Sequence, residues 1–272
     1  MKFVTIATED FTPGVLTLIK SMEVNAGLKF DFTVIKLDEF SEETMQKFNQ
    51  LQTNVEFFAA QELGQFEFDE ELLEDNHRTL HQKKFLIYKL PYNEKMCYLD
   101  SDLLCLNDIS DIEDFEPLTV APNIGREDPE TINNRPMFNS GLMIFQPSKQ
   151  RFQELQEFAH QYDQKMMYGD QRLLNEYYLN HCPEEVNYLG FNWNVMITSK
   201  RFRPNLYKKV QEEGIKFLHF TSFKPWIYQK PFPELIKRDE KILDKSIINK
   251  AYKRIKYRNE IIDWEVLSDN SR

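Results

Sequence analysis

An open α/β fold, with a mostly parallel sheet flanked by helices, is what this sequence predicts. Two observations carry the prediction. From Phe3 to Phe58, short apolar runs rich in β-branched and aromatic residues alternate with stretches whose apolar residues recur at helical spacing. The 272 residues are also 41% hydrophobic and 14% aromatic, enough for a sizeable core in one large domain or two modest ones. With only 8 glycines, fibrous, repeat and disordered classes are excluded.

The elements follow in order. Phe3 to Ala7 reads as a buried strand. Gly14 to Val24 reads as a helix with Val15, Leu18, Ile19 and Met22 on one face. Asp31 to Leu37 is a second strand. "SEETMQKFNQL" opens on a capping pattern, Ser41 with Glu43 and Thr44 behind it, and reads as a helix. "NVEFF" is a third strand, so the order is β-α-β-α-β, which demands parallel strands joined by right-handed crossovers. Gln61 to Asp75 is acidic and irregular, hence a loop, and Arg78 to Leu90 reads as a helix. "MCYLDSDLLCL", Met96 to Leu106, reads as a buried strand interrupted by Asp100 and Asp102. Strands at Leu118–Ala121 and Gly141–Phe145 flank a polar loop, Asn123–Pro136. Helices are expected at Gln150–Tyr162 and Asp170–Leu179. Ile236–Arg258 holds nine basic residues against three acidic ones and reads as a helix or a pair of helices.

Bulk properties narrow the function. A net charge of −10 argues against a nucleic-acid partner. Three cysteines, Cys97, Cys105 and Cys182, are an odd number without CxxC spacing, so disulfides and structural zinc are poorly supported and reduced thiols in the cytoplasm are expected. The run before Glu9 is too short for a signal peptide, and no stretch reaches the roughly 20 apolar residues of a membrane span. A soluble, unprocessed chain is the expectation.

Ligands of open parallel sheets gather beyond the carboxyl ends of the strands. Two places qualify: Ala7 to Asp10, and Asp100 to Asp102. Within a strand, residues i and i+2 share a face. Carboxylates so close raise each other's pKa unless a cation lies between them, and hard divalent ions accept carboxylate oxygens. A solvated Asx turn is the plain alternative, and DxD alone does not choose. Two enzyme classes use it: haloacid-dehalogenase-like phosphatases, with Asp100 as nucleophile, and nucleotide-sugar transferases, with a metal against a diphosphate.

Three further stretches separate these classes: "FNSGLMIFQPS" from Phe138, "YGDQRLLN" from Tyr168 and "FLHFTSFKPW" from Phe217. With the DxD, in this order and spacing, they resemble the glycogenin-like family 8 glycosyltransferases, retaining enzymes of the GT-A fold that use UDP-sugars. The resemblance runs from Phe3 to about Trp226. It implies a Rossmann-like GT-A domain over residues 1–230; the basic run beyond it reads as a helical extension over 231–272.

The resemblance also implies roles. Asp100, Asp102 and His219 would ligate Mn²⁺, with Mg²⁺ as the alternative; Ser101 lies between the aspartates in the donor-binding set. Lys224 would contact the donor diphosphate, as an ammonium suits a phosphate gaining charge. Lys84 would lie near the donor sugar and phosphates, with Lys83 as the adjacent competitor. Asn139, Ser140 and Gly141 resemble the elbow that contacts the sugar. Asp170 and Gln171 resemble the pair beside the anomeric carbon, although Asp is also a common helix cap. Ala7, Thr8, Glu9 and Asp10 align with the uracil-binding edge, where a carboxylate would accept the N3–H.

Two departures stand out. The glycine usual between the family's His and Lys is missing from Phe220-Thr221-Ser222-Phe223. "FNWNVMITSKRFRP" contains no tyrosine to act as a self-acceptor, so a separate glycan, lipid-linked sugar, protein or polyol is expected. The basic tail is open to two readings: a solvated helical face, or peripheral docking on an anionic membrane. Beside the transferase stand the phosphatase and an inactive UDP-sugar-binding module.

Overall fold

The computed structural model describes residues 1–64, 83–123, 130–161, 169–197, 199, 203–221 and 224. A seven-stranded sheet in the order β10-β6-β9-β4-β1-β2-β3 organises the chain. Its parallel half is β1 (Lys2–Ala7), β2 (Asp31–Lys36), β3 (Val55–Ala59) and β4 (Met96–Leu99). Between the first three strands run helices α1 (Thr12–Asn25) and α2 (Glu42–Phe48). Helix α1 carries Val15, Leu18, Ile19 and Met22 into the core. This is the crossover pattern that the alternating apolar runs predict.

A short helix, α3 (Ala60–Leu63), replaces the expected start of a loop. Lys83–Lys89 forms a 3-10 helix in place of the expected α-helix through Leu90. Lys84 to Tyr88 are all buried, so this segment has no solvent face for an amphipathic 3.6-residue period to serve. Residues 65–82, where the rest of that expected helix and most of the acidic segment fall, lie outside the described residues, as do the tail at Ile236–Arg258 and the extension 231–272.

The other half of the sheet holds β6 (Thr119–Pro122), β9 (Phe138–Phe145) and β10 (Asn187–Tyr188). The expected polar loop contains a small hairpin, β7 (Thr131–Ile132) and β8 (Arg135–Pro136). Strand β9 runs antiparallel to both β4 and β6. It therefore brings its first residues, Phe138 to Gly141, to the edge where β4 ends. Helices α4 (Lys149–Gln161) and α5 (Gly169–His181) follow β9. Two buried clusters, one around Phe85, Tyr98 and Phe145 and one around Phe3, Leu18 and Phe32, form the core.

A second sheet, β11-β12-β5, joins β5 (Leu103–Cys105), β11 (Val195–Met196) and β12 (Phe217–His219). Helix α6 (Pro204–Glu213) connects β11 to β12, and their shared core includes Val195, Tyr207 and Leu218.

Candidate active site

The run "MCYLDSDLLCL" is two strands, not one. Its first half is β4 of the large sheet and its second half is β5 of the small one. The chain turns between them: Leu103 N–H donates to the Asp100 carbonyl at 3.2 Å. Asp and Ser are turn formers, and here the polar residues mark a change of sheet rather than a strand interior. Asp100 N–H is held by the Gly141 carbonyl at 2.8 Å, and the Asp102 carbonyl by Phe220 N–H at 3.0 Å. Ser101 is the buried middle residue of this turn.

Strand β12 pairs antiparallel to β5 with His219 opposite Leu103. That register sets the imidazole against the turn. His219 Nε2 lies 3.1 Å from Asp102 Oδ1 and 3.6 Å from Asp100 Oδ2. Each of the three residues offers a ligand atom, and these atoms lie within 4.8 Å of one another. Two carboxylate oxygens and an imidazole nitrogen form a set that suits a divalent cation. Gly141 gives the set its room: a Cβ there would fall 2.5 Å from His219 Cε1 and 2.7 Å from Asp100 Oδ2.

A second group adjoins the first. Lys84, not Lys83, reaches it: its Nζ lies 2.5 Å from Asp170 Oδ2, 3.1 Å from Asp100 Oδ1 and 3.1 Å from Ser140 Oγ. Asp170 sits in the first turn of α5, where the helix dipole favours a carboxylate, and accepts the Ser140 hydroxyl at 2.7 Å. Tyr98 OH donates to Asp100 at 2.7 Å. Asn139 Nδ2 donates to Gln171 Oε1 at 2.9 Å. Lys224 pairs with Asp102 and donates to the Phe220 carbonyl at 2.9 Å.

Burial and charge oppose each other here. Burial disfavours the Asp102 carboxylate, but His219 and Lys224 outweigh it and hold its pKa well below the usual range. Burial likewise works against the Lys84 ammonium, and Asp100 and Asp170 overcome it, so its pKa rises. With His219 neutral, as a metal ligand must be, the carboxylates of Asp100, Asp102 and Asp170 outnumber the ammonium groups of Lys84 and Lys224 by one. A buried excess of negative charge is what a divalent ion would balance.

The edge after β1 lies at the same end of the sheet. Ala7 ends the strand, and its carbonyl accepts Leu37 N–H at 2.9 Å. Thr8 donates its hydroxyl to Asp10. Glu9 is engaged in holding the fold. Its carboxylate accepts from Ser41 Oγ at 2.8 Å and Thr44 Oγ1 at 2.7 Å, at the N-terminus of α2. Asp10 is the exposed carboxylate of this edge. Ser222 lies outside the described residues.

Two amides that the sequence reading does not single out complete the site. Asn194 bridges His219 Nδ1 and Asn139 Oδ1, each at 2.9 Å. Asn175, fully buried, exchanges hydrogen bonds with Phe138 N–H and carbonyl at 2.8 and 2.9 Å and so fastens α5 to the start of β9. Asn175 lies inside "YGDQRLLN", and its position one helical turn after Gln171 is the signal that could have exposed it.

The architecture defines an open α/β protein with a charged site at the carboxyl ends of its parallel strands. The sequence model of Glycosyl transferase family 8 matches residues 3–230, and the chain belongs to that family. It is 29% identical over 161 residues to UDP-glucuronate:xylan alpha-glucuronosyltransferase 1 of Arabidopsis thaliana, covering 58% of this chain and 23% of that protein. It is 30% identical over 148 residues to glycogenin-1 of Homo sapiens, covering 53% and 39% respectively. The chain thus spans well under half the length of these relatives. In structure it resembles the galactosyltransferase LgtC, solved with donor and acceptor sugar analogs, with a TM-score of 0.68, 18% identity and coverage of 97% of this chain and 99% of the other. That likeness shows the mixed α/β GT-A fold.

Proposed function

We propose that this protein is a retaining hexosyltransferase that moves glucose or galactose from a UDP-sugar to the hydroxyl of a separate acceptor. The observation that carries the reading is the convergence of Asp100, Asp102 and His219 with Lys84 and Asp170 at one crevice. Family membership sets the phosphatase reading aside. In our reading Asp100, Asp102 and His219 hold Mn²⁺, favoured over Mg²⁺ by the imidazole nitrogen. When bound, the ion supplies Lewis acidity to the diphosphate.

The chain's own residues do the rest. Lys224 exchanges Asp102 for the departing phosphate, and Lys84 adds positive charge beside the donor. Asp10, rather than the engaged Glu9, accepts the uracil N3–H. Asn139, Asp170 and Gln171 orient the sugar. The bond from the anomeric carbon to the β-phosphate oxygen breaks, and a bond to the acceptor oxygen forms on the same face. The acceptor's proton passes to the departing phosphate oxygen, so no protein base is needed. The acceptor is a glycan, lipid-linked sugar, protein or polyol. The missing tyrosine in "FNWNVMITSKRFRP" speaks against self-glucosylation. Among the described residues no helix is long and apolar enough to cross a membrane; we read the protein as cytoplasmic, with the basic tail available to an anionic membrane surface.

The test is a UDP-sugar panel, read by release of UDP with and without Mn²⁺. We expect Mn²⁺-dependent release from UDP-glucose or UDP-galactose and a loss of about 10²-fold or more in Asp102→Asn. Full turnover by that variant would sink the metal role. UDP binding without turnover on a broad acceptor panel would identify a binding module instead.

A further inference from the structure

We infer that Asn194 is a positioning residue: at one end of a directed chain of hydrogen bonds that also orients the Gln171 amide, it sets the tautomer of His219. The inference rests on the metal reading above.

Two backbone amides give the chain its direction, because they can only donate. Gly141 N–H reaches Asn139 Oδ1 at 2.9 Å, so the Asn139 oxygen faces Gly141 and its nitrogen faces Gln171. That nitrogen donates to Gln171 Oε1 at 2.9 Å, and Ser140 N–H donates to the same oxygen at 3.4 Å. The Gln171 oxygen is doubly engaged, and its amide nitrogen is the end this chain does not use. Gln171 therefore meets the donor sugar as a hydrogen-bond donor.

In the other direction, Asn139 Oδ1 receives Asn194 Nδ2 at 2.9 Å. With its nitrogen so placed, Asn194 turns Oδ1 toward His219 Nδ1, also at 2.9 Å. Oxygen accepts, so Nδ1 carries the proton. In neutral imidazole Nε2 is then a bare lone pair aimed at Asp102 Oδ1 and Asp100 Oδ2. Three acceptors facing one another are stable only around a cation. Asn194 is 1% exposed and His219 3%, so water does not compete for these bonds. An outer residue that holds the second nitrogen of a ligating histidine fixes its ring and its basicity.

The test needs no sugar donor. In the metal-free full chain, ¹⁵N-histidine spectra, assigned with His219→Gln, should show a proton on Nδ1 of His219, where Asn194 Oδ1 accepts it. The opposite tautomer overturns the inference, with no dependence on any other variant's folding. Mn²⁺ titration by calorimetry should show a loss of about 10–100-fold in Asn194→Ala. Asn194→Asp, which still accepts from Nδ1–H, should keep wild-type Mn²⁺ affinity. The same variant cannot donate to Asn139, so its UDP-sugar turnover should fall about ten-fold or more. Unchanged Mn²⁺ affinity in Asn194→Ala, or undiminished turnover in Asn194→Asp, overturns the corresponding half. Failure of wild-type protein to bind Mn²⁺ would instead count against the function proposed above.

Discussion

Gly141 is the residue at which a single methyl group should do most damage. A Cβ there would sit 2.5, 2.7 and 2.8 Å from His219 Cε1, Asp100 Oδ2 and Asn139 Oδ1, all closer than real Cβ contacts. Overpacking of this kind costs about 1–3 kcal/mol. Gly141→Ala should therefore lower the melting temperature and weaken Mn²⁺ binding by at least about ten-fold, as calorimetry would measure. Wild-type affinity in a folded variant would contradict the crowding argument. Residues of this kind are only partly legible in the sequence. Asp100, Asp102 and His219 stand in short motifs. Between Lys83 and Lys84, however, sequence offers no choice: the decision comes from burial on all sides of a 3-10 helix. Asn194 is invisible there because an amide acts through its partners, and its partners, Asn139 and His219, are distant in sequence; Asn175 shows itself only by its place one helical turn after Gln171.

Elements are more legible than their junctions. The first three strands and both intervening helices follow from the apolar pattern: β1 and β2 are near-continuous runs buried on both faces, and α1 repeats Val15, Leu18, Ile19 and Met22 at helical spacing. The DxD run misleads because eight hydrophobic residues around two aspartates look like one strand, whereas pairing splits them between two sheets. No local pattern encodes which sheet a strand joins. The start of α2 shows a related limit. Ser41 Oγ accepts from Thr44 N–H as an N-cap should, but the second partner comes from Glu9, beyond β1. Ser41→Ala should cost about 1 kcal/mol. Glu9→Ala should cost a similar amount, and the double variant should fall short of the sum by more than about 0.5 kcal/mol in urea denaturation. Simple additivity would show that the two residues act separately.

At the scale of the whole molecule, burial makes stability sensitive to alkali. Burial pushes Tyr88 up to about 12 against the opposing hydrogen bond from Tyr178, and it raises the thiols of Cys97 and Cys105 far above their ordinary 9.0. Lys84 is also raised above its ordinary 10.5, with burial opposing and Asp100 and Asp170 prevailing. All four groups keep their protons in the folded state after the unfolded chain has released them. Unfolding free energy therefore falls as pH rises through the unfolded values, from about 9 upward, by up to ~1.4 kcal/mol per unit for each group. Urea midpoints should decline between about pH 8 and about pH 10.5 at constant salt. A flat profile would show that these groups ionise in the folded protein.

The turn at Asp100–Asp102 has one more consequence, a mechanical one. It is the seam along which the seven-stranded sheet gives way to the small sheet of β5, β11 and β12, and His219 lies on the far side of that seam. An ion gripped by all three residues would rivet two plates together. Its affinity would then also resist their separation, since a ligand bound only to the closed form stabilises that form. Amide exchange would display this directly. Chelation should speed exchange at Val195, Met196 and Phe217–His219 while β1 and β2 keep their protection, and Mn²⁺ should reverse the change. Uniform behaviour across both sheets would mean that the seam is rigid without its rivet.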